Sequence, residues 1–317
     1  MQALPRRAFL GLCAGGAALA SCATSAPRAR RSPVIDAHMH VWSGDRERFP
    51  FAHPYTPGFQ PPKAPGTIEA LLPEMDAFAI DACVLVQVIY HGWDNRYVAH
   101  ALKAHPDRFR VQGLIDPTGP DVAQKLETWV RDHGLSGMRF SPLYYEGRDE
   151  WLNAPATRPL WEKAEELGAV FNFFIAAPQL PRLEDRVRSF PGVPVVIDHL
   201  ARIDLKAAHP LPEFRKLLAL AKYPNVWAKL SELSVLSPSG KYPYADTHAW
   251  VRRLYDAFGP DRLLWGTGFP ADTRREAGRP GLTEELALVR AEIPFFTAED
   301  REKILGRNAA RLWKFRF

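Results

Sequence analysis

The sequence contains little cysteine, with three residues in 317, at positions 13, 22 and 83. The first two lie in an N-terminal stretch with the features of an export signal, so Cys83 is the one cysteine expected in the folded part of the chain. A lone cysteine excludes an intrachain disulfide framework there. Cys83 falls within the apolar run ACVLVQV, which predicts a buried strand position rather than a reactive thiol.

A long hydrophobic run is also missing. The N-terminal stretch PRRAFLGLCAGGAALASC is too short and too rich in glycine for a good membrane-spanning helix. Its twin arginines, Arg6 and Arg7, precede a short apolar region, which is typical of a signal for the twin-arginine export route. The stretch ends in LASC, which resembles the lipobox cut by the lipoprotein signal peptidase.

We therefore predict a lipoprotein signal peptide over residues 1–21, with Cys22 as the acylated first residue of the mature chain. A flexible basic tether is predicted over residues 22–32. The corresponding localisation is that of a membrane-anchored lipoprotein facing the periplasm, held to the membrane through its lipid anchor. The alternative is an ordinary signal cleaved near small residues, with Cys22 incidental.

Clustered positive charge is absent beyond the tether. The formal net charge is +5, and removal of Arg6 and Arg7 with the signal lowers it to +3. No group of Lys and Arg interleaved with aromatic residues occurs in residues 33–317, so the sequence does not favour nucleic-acid binding. Nothing in the composition indicates an oligomeric state.

Eight short β-type runs alternate with helical patterns along residues 33–317. They are VIDAH (34–38), ACVLVQV (82–88), RVQGLI (110–115), SGMRF (136–140), AVFNFFI (169–175), VPVVIDH (193–199), NVWAKLS (225–231) and RLLWGT (262–267). Several are nearly all apolar, which is typical of parallel strands covered by helices. Eight such units predict a single-domain (β/α)8 TIM barrel. A doubly wound sheet is the alternative, but no glycine-rich phosphate-binding motif follows the first strand.

The first strand ends in two histidines, His38 and His40, within VIDAHMHVW. Because side chains alternate faces along a strand, we expect Asp36 to share one face with both of them. Two imidazoles directed at one point would suit a divalent metal, whereas the alternative is a hydrogen-bonded or exposed pair.

Other predicted strands also end in ionisable residues, whereas their middles are apolar. Active sites of TIM barrels lie at the C-terminal ends of the strands, so this pattern favours a functional role for the histidine pair. The residues concerned, besides the pair, are Arg139, His199 and Lys229.

A long proline-rich loop, WSGDRERFPFAHPYTPGFQPPKAPGT (42–67), follows the first strand. Proline blocks regular ladders and helix interiors, so the loop is predicted to be irregular. We expect it to cover the barrel mouth as a lid; the alternative is a packed surface loop.

Several segments resemble the amidohydrolase-2 branch of the amidohydrolase superfamily, and within it the metal-independent lactonases that act on 2-pyrone-4,6-dicarboxylate and on sugar lactones. The segments are DAHMHVW, VQVIYHGWDNRYVAHALKAHPDRFRVQGLID, GMRF, VVIDHLA, NVWAKLSEL and RLLWGTGFP. The resemblance runs from about Val34 to the C-terminal helix and keeps the order of the elements.

The resemblance implies roles for individual residues. His38, His40 and His199 match the catalytic histidines of strands one and six. Arg139 matches an arginine that can bind a substrate carboxylate through two parallel hydrogen bonds. Substrate contacts are further implied, with rim salt bridges, packing or helix capping as alternatives, for Lys229, Tyr90 and Asn95.

The chain departs from the family pattern in two places. The strand-five histidine of metal-dependent relatives is missing from AVFNFFIAAPQ. After strand eight, Gly268 in GTGFP stands where the family has the aspartate that serves as general base. Other groups must then supply the base, and the candidates are Asp272, Glu232 and His40. No cofactor is expected; a zinc ion, if bound, would use His38, His40 and His199.

The leading hypothesis is therefore an exported hydrolase that opens a small carboxylated or sugar lactone by hydrolysing its C–O ester bond. Its partner is then a small anionic or lactone substrate. Two alternatives stay open: a barrel lipoprotein that binds a small anionic ligand without turnover, and, less favoured, a metal-dependent decarboxylase.

Overall fold

The computed structural model describes residues 31–60, 62–64, 66–145 and 147–317. The predicted signal peptide, Cys22 and most of the tether lie outside these residues. Strands and helices alternate along the described chain. The strands are β1 (Ile35–Met39), β2 (Ala82–Val86), β3 (Phe109–Gly113), β4 (Gly137–Phe140), β5 (Val170–Phe173), β6 (Val195–Ile197), β7 (Val226–Leu230) and β8 (Leu263–Trp265).

The α-helices lie between and after the strands. They are α1 (Ile68–Ala77), α2 (Arg96–Ala104), α3 (Val122–Arg131), α4 (Arg158–Leu167), α5 (Leu180–Ser189), α6 (Leu211–Ala219), α7 (Leu233–Leu236), α8 (His248–Phe258), α9 (Ala271–Glu276), α10 (Leu282–Ala287), α11 (Ala298–Glu302) and α12 (Asn308–Leu312).

All eight strands are parallel and pair in the order of the sequence, from β1 to β8. The backbone of Gly268 then joins the last strand to the first. Its N–H donates to the His38 carbonyl oxygen at 2.7 Å, and its own carbonyl accepts from the His40 N–H at 2.8 Å. The predicted (β/α)8 barrel is therefore confirmed, and the doubly wound sheet is excluded.

Alternate residues of each strand belong to two different apolar clusters. Along β2, Ala82, Val84 and Val86 pack with residues of other strands and with the end of α12, which places them inside the barrel. Cys83 and Leu85 belong to the cluster shared with the surrounding helices. The buried strand position predicted for Cys83 is confirmed, since its thiol is free and buried.

The C-terminal helices differ from the sequence prediction. A helical pattern over residues 281–291 and another over 298–314 are each interrupted by a π-helical turn, at Leu288–Glu292 and at Lys303–Arg307. Within the described ranges, no helix combines the length and the apolar character needed to cross a membrane.

The second π-turn brings Gly306 against the segment that leads into β1. A Cβ atom on Gly306 would lie only 1.8 Å from the Pro33 carbonyl oxygen. We expect Gly306→Ala to lower the free energy of unfolding by about 1–3 kcal/mol, the usual cost of overpacking. Urea denaturation measures this, with Gly44→Ala as control, since a Cβ there meets no atom within 4 Å. Equal stability of the two variants would contradict the close packing.

Candidate active site

One extra residue in β1 decides which side chains enter the barrel. Asp36 and Met39 pair with β2 residues that are only two positions apart, so β1 contains a bulge between them. Asp36 and Met39 consequently share the helix-facing side of the sheet, whereas His38 and His40 both point into the barrel mouth. The expectation that Asp36 shares a face with the histidines is therefore wrong, because it assumed an unbroken strand.

Asp36 instead links the first strand of the barrel to the segment that follows the last strand. Its carboxylate accepts hydrogen bonds from the His38 N–H at 2.9 Å, from the Thr267 N–H at 3.2 Å and from the Thr267 hydroxyl at 2.5 Å. Burial raises the pKa of this carboxyl to about 6, although these hydrogen bonds act in the opposite direction. The carboxylate thus fixes β1 against the segment that follows β8.

The histidine pair forms a chain of hydrogen bonds with one possible direction. His40 Nδ1 lies 2.7 Å from the Val86 carbonyl oxygen, which only accepts, so Nδ1 carries the proton. His40 Nε2 then accepts from His38 Nε2 at 3.1 Å, and His38 Nδ1 accepts from the Lys229 ammonium at 3.0 Å. All four ring nitrogens of the pair are therefore engaged.

Both rings of the pair are neutral at ordinary pH, as that chain requires. Burial lowers the pKa of His40 to about 3, and the nearby Arg139 charge acts in the same direction. Burial, assisted by the Lys229 ammonium, holds the pKa of His38 well below its usual range.

A buried ion triad supports the histidines. Asp198 Oδ1 lies 2.9 Å from Lys229 Nζ, and Asp198 Oδ2 accepts from Arg139 Nε at 3.1 Å. Asp198 and Lys229 are both 0% exposed, and Arg139 stacks its guanidinium 4.4 Å from the centre of the Phe174 ring. Burial raises the pKa of the Asp198 carboxyl, but the Lys229 ammonium and the Arg139 guanidinium outweigh this effect and hold the pKa well below its usual range.

Asp198 and Ser231 are site residues that sequence reasoning missed. Asp198 directly precedes His199 in VVIDHLA, and Ser231 closes NVWAKLS, so both lay beside residues already selected. His199 Nδ1 lies 2.8 Å from the Ser231 hydroxyl oxygen. The His199 ring centre is 4.5 Å from that of His38, and burial lowers the pKa of His199.

The backbone after β6 makes an unusual turn that presents His199. Four successive residues, from His199 to Arg202, have φ between 49° and 54°. Left-handed backbone costs roughly 1–2 kcal/mol for each residue other than glycine, so local preference does not favour this turn. Strained backbone of this kind concentrates at functional sites.

Tyr90 lies outside the ion triad, in an aromatic cluster with the long loop. Its ring packs against Phe59 at 4.5 Å and Trp42 at 5.3 Å between ring centres. Burial raises the pKa of Tyr90 to about 12.

The long loop lies over segments that follow several strands, as expected of a lid. Its Tyr55 hydroxyl donates to that of Tyr145, just after β4, at 2.6 Å. Farther along, the N–H groups of Lys63 and Ala64 donate to the Glu276 carboxylate of α9, at 3.1 and 2.8 Å. The loop is thus fastened on opposite sides of the barrel mouth.

Asn95 does not contact the site, contrary to the role that the resemblance implies. It is 0% exposed, and both ends of its amide are used on the backbone of Leu114: Oδ1 accepts from the N–H at 2.7 Å, and Nδ2 donates to the carbonyl at 2.9 Å. Since the side chain has no exposed surface, these bonds serve to hold the loop after β3.

The two carboxylates predicted as candidate general bases occupy different surroundings. Asp272 lies in the first turn of α9, 59% exposed and paired with Arg275, so the structure does not bring it into the histidine cluster. Glu232 lies nearer to His199 but forms ion pairs with Arg202 and Arg279.

Gly268 has open space on its side-chain side. A Cβ atom built there meets nothing within 4 Å, although its φ of 100° is strained for any other residue. Gly268 pairs with Met39, and its backbone bonds to that of His38 and His40, so this position lies directly beside the end of β1.

A zinc ion held by His38, Asp198 and His199 does not fit the residues around it; for the predicted set of His38, His40 and His199, zinc binding stays a prediction. His38, Asp198 and His199 could each offer one ligand atom, all within 4.8 Å of one another. However, Lys229 Nζ lies 3.0 Å from His38 Nδ1 and 2.9 Å from Asp198 Oδ1. An ion at zinc-ligand distance from both atoms would lie within roughly 3.5 Å of the ammonium. The ammonium therefore opposes a second cation there.

Comparisons with known proteins identify the family to which the chain belongs. The sequence model of the amidohydrolase family matches residues 35–315. The chain belongs to this family. A solved structure from Acinetobacter baumannii, of a probable 2-pyrone-4,6-dicarboxylic acid hydrolase with bound citric acid, has the same fold, with a TM-score of 0.73 at 22% identity over 89% of this chain and 99% of that one.

Curated amidohydrolase relatives include three lactone hydrolases. A 4-sulfomuconolactone hydrolase of Rhizobium radiobacter is 31% identical over 90% of this chain and 94% of its own. A 2-pyrone-4,6-dicarboxylate hydrolase of Comamonas testosteroni is 29% identical over 88% and 90%. An L-fucono-1,5-lactonase of Burkholderia ambifaria is 26% identical over 88% and 95%.

The buried ion triad predicts a large effect of Lys229→Met. The substitution leaves Asp198 with one cationic partner, so we expect the free energy of unfolding to fall by about 3–5 kcal/mol. Chemical denaturation measures this, with Lys206→Met, an exposed lysine, as the matched control. Adding Asp198→Asn to Lys229→Met should recover part of the loss, because the unpaired charge is gone. A loss below about 1 kcal/mol would refute the pairing.

Proposed function

We propose that the protein hydrolyses the ester bond of a small lactone that carries a carboxylate, with sugar lactones as the second substrate group. The observation that carries this proposal is the set of Lys229 and Arg139 around Asp198, beside three neutral histidines at the strand ends. The activities of the curated relatives support the reaction class.

Arg139 is suited to hold the substrate carboxylate. Only its Nε bonds to Asp198, and Nη1 and Nη2 donate no hydrogen bond within the described residues. Two such parallel donors match the geometry of a carboxylate. The aromatic face of Phe174 below the guanidinium keeps it in place.

The histidine chain is suited to polarise the lactone carbonyl. Water adds its oxygen to the carbonyl carbon, the carbonyl oxygen becomes an oxyanion, and the ring C–O bond then breaks. In this proposal, the substrate oxygen takes over the proton that His38 Nε2 donates to His40 in the free enzyme. Lys229, at His38 Nδ1, adds fixed positive charge behind the donor, which stabilises the oxyanion.

A lactone panel tests the reaction and the role of Arg139 together. Proton release is followed with carboxylated, sulfonated, sugar and uncharged lactones. Arg139→Lys keeps the charge but loses the paired donors, so we expect kcat/KM to fall about 10- to 100-fold for carboxylated lactones, the range expected for charged hydrogen bonds. For uncharged lactones, kcat/KM should change less than threefold. The control is Arg215→Lys, at an exposed site on α6. No turnover of any lactone would refute the proposal.

A binding protein without turnover is the second candidate, favoured by Gly268 in the place of the family's catalytic aspartate. Ligands raise the melting temperature of a protein that binds them in the folded state. A carboxylated lactone that raises the melting temperature but is recovered intact would support this second function over the first.

Gly268 itself provides a direct prediction. Gly268→Asp places a carboxylate in open space at the seam between β8 and β1, where we expect it to act as an added general base and raise kcat at least tenfold over Gly268→Ala. Gly268→Ala is the matched control, because both variants carry the strain of the same φ. Asp272→Asn should leave kcat unchanged, since Asp272 is exposed. Elemental analysis checks whether Gly268→Asp acquires zinc. Equal rates of the two Gly268 variants would contradict the prediction.

We further propose export and lipid anchoring through the N-terminal sequence. Cys22→Ala should abolish acylation and release the protein from the membrane fraction as soluble or uncleaved chain, since the acyl chains supply the membrane affinity. Replacing Arg6 and Arg7 by Lys should block the twin-arginine route. Fractionation and immunoblotting measure both. Normal export of the double-lysine variant would show that the ordinary secretory route suffices.

A further inference from the structure

We infer that His199 is the general base that activates water in this enzyme, in place of the family's strand-eight aspartate, and that Ser231 positions it. The inference rests on the lactone hydrolysis proposed above. It assigns the proton acceptor that the replacement of the aspartate by Gly268 leaves open.

The other acceptors around the site are engaged. His38 and His40 use all four ring nitrogens on one another, on Lys229 and on the Val86 carbonyl. Asp198 is held by two cations, which makes its carboxylate a very weak base.

The two outlying carboxylates are also poor candidates. Glu232 is paired with Arg202 and Arg279, and its pKa is lowered although burial acts to raise it. Asp272 is exposed on α9 and paired with Arg275. Neither carboxylate contacts the histidine cluster through a hydrogen bond in the described chain.

His199 is the remaining group with a usable lone pair. Its Nδ1 faces the Ser231 hydroxyl at 2.8 Å, whereas its Nε2 makes no hydrogen bond to any described residue. When Nδ1–H donates to the hydroxyl oxygen, the neutral ring has its lone pair on Nε2. In the tautomer that this proposal assigns, the Ser231 oxygen accepts from Nδ1–H, and Nε2 is free to accept a proton.

The backbone holds this ring where substrate would bind. His199 opens the left-handed turn after β6, its ring lies 4.5 Å from His38, and it contacts the edge of Phe174 at 5.8 Å between ring centres. Phe174 also carries the guanidinium of Arg139. His199 is therefore adjacent both to His38, which donates to the substrate carbonyl, and to Arg139, which binds the substrate carboxylate.

The proton follows a closed path through His199. Nε2 takes one proton from water as the water oxygen bonds to the carbonyl carbon. When the ring C–O bond breaks, the same Nε2–H gives that proton to the departing oxygen, which becomes the hydroxyl of the product. The new carboxylic acid then ionises, and this ionisation is the proton release that the assay records.

The test compares His199→Asn with wild type on the best lactone of the panel. Asparagine tolerates positive φ better than most residues, so the turn is kept while the base is lost. We expect kcat to fall 10²- to 10⁴-fold with KM changed less than threefold. His209→Asn, at an exposed histidine, is the matched control. Adding Gly268→Asp to His199→Asn should raise kcat at least tenfold above that of His199→Asn alone, whereas adding Gly268→Ala should not.

Ser231 gives a second test that does not depend on the folding of the His199 variant. Ser231→Ala should lower kcat about tenfold at unchanged KM, and Ser231→Thr, which keeps the hydroxyl, should restore it. Wild type without activity on any lactone overturns the proposed function, and this inference with it. An active wild type whose folded His199→Asn variant stays within threefold overturns the role of His199 alone. A Ser231→Ala variant that keeps full kcat overturns the positioning role of Ser231.

Discussion

The ion pair between Lys229 and Asp198 is the interaction on which the rest of the site depends. Two opposite charges without solvent contact persist only because each satisfies the other, and Arg139 completes the balance. The ammonium also fixes the protonation of His38, which fixes that of His40. One charged contact at the ends of β6 and β7 therefore sets the hydrogen-bond direction across the barrel to β1 and β2.

Closure of the barrel depends on the backbone of one residue. Gly268 links the last strand to the first through two backbone hydrogen bonds, and those bonds go to the two histidines. Because the main chain makes both bonds, they do not require a side chain at this position. The seam between β8 and β1 therefore closes while the space on the side-chain side of Gly268 stays open.

Much of the fold was predictable, because apolar runs with helices between them are a local signal and eight of them specify a barrel. The site residues that could likewise be predicted lie at the ends of the predicted strands; they are His38, His40, Arg139, His199 and Lys229. The errors came from partners distant in sequence. The bulge that turns Asp36 outward exists only in register with β2.

Asn95 shows the same limit, since its partner Leu114 lies beyond the next helix. A sequence motif can contain a residue of the expected type although that residue makes different contacts in the fold. Asp198 was passed over because a carboxylate next to a histidine has no local feature that marks it as the centre of a buried triad.

The fastening of the long loop sets how often the mouth is open. Among the described residues, the loop is held to Tyr145 and Glu276 by three hydrogen bonds. Each contributes about 0.5–1.5 kcal/mol net, because water replaces the partner on release. The loop also donates from the Ala52 N–H to the Tyr90 carbonyl at 2.9 Å and packs the Phe59 ring on that of Tyr90. Opening the mouth therefore requires these contacts to be released together, which makes substrate entry a cooperative step.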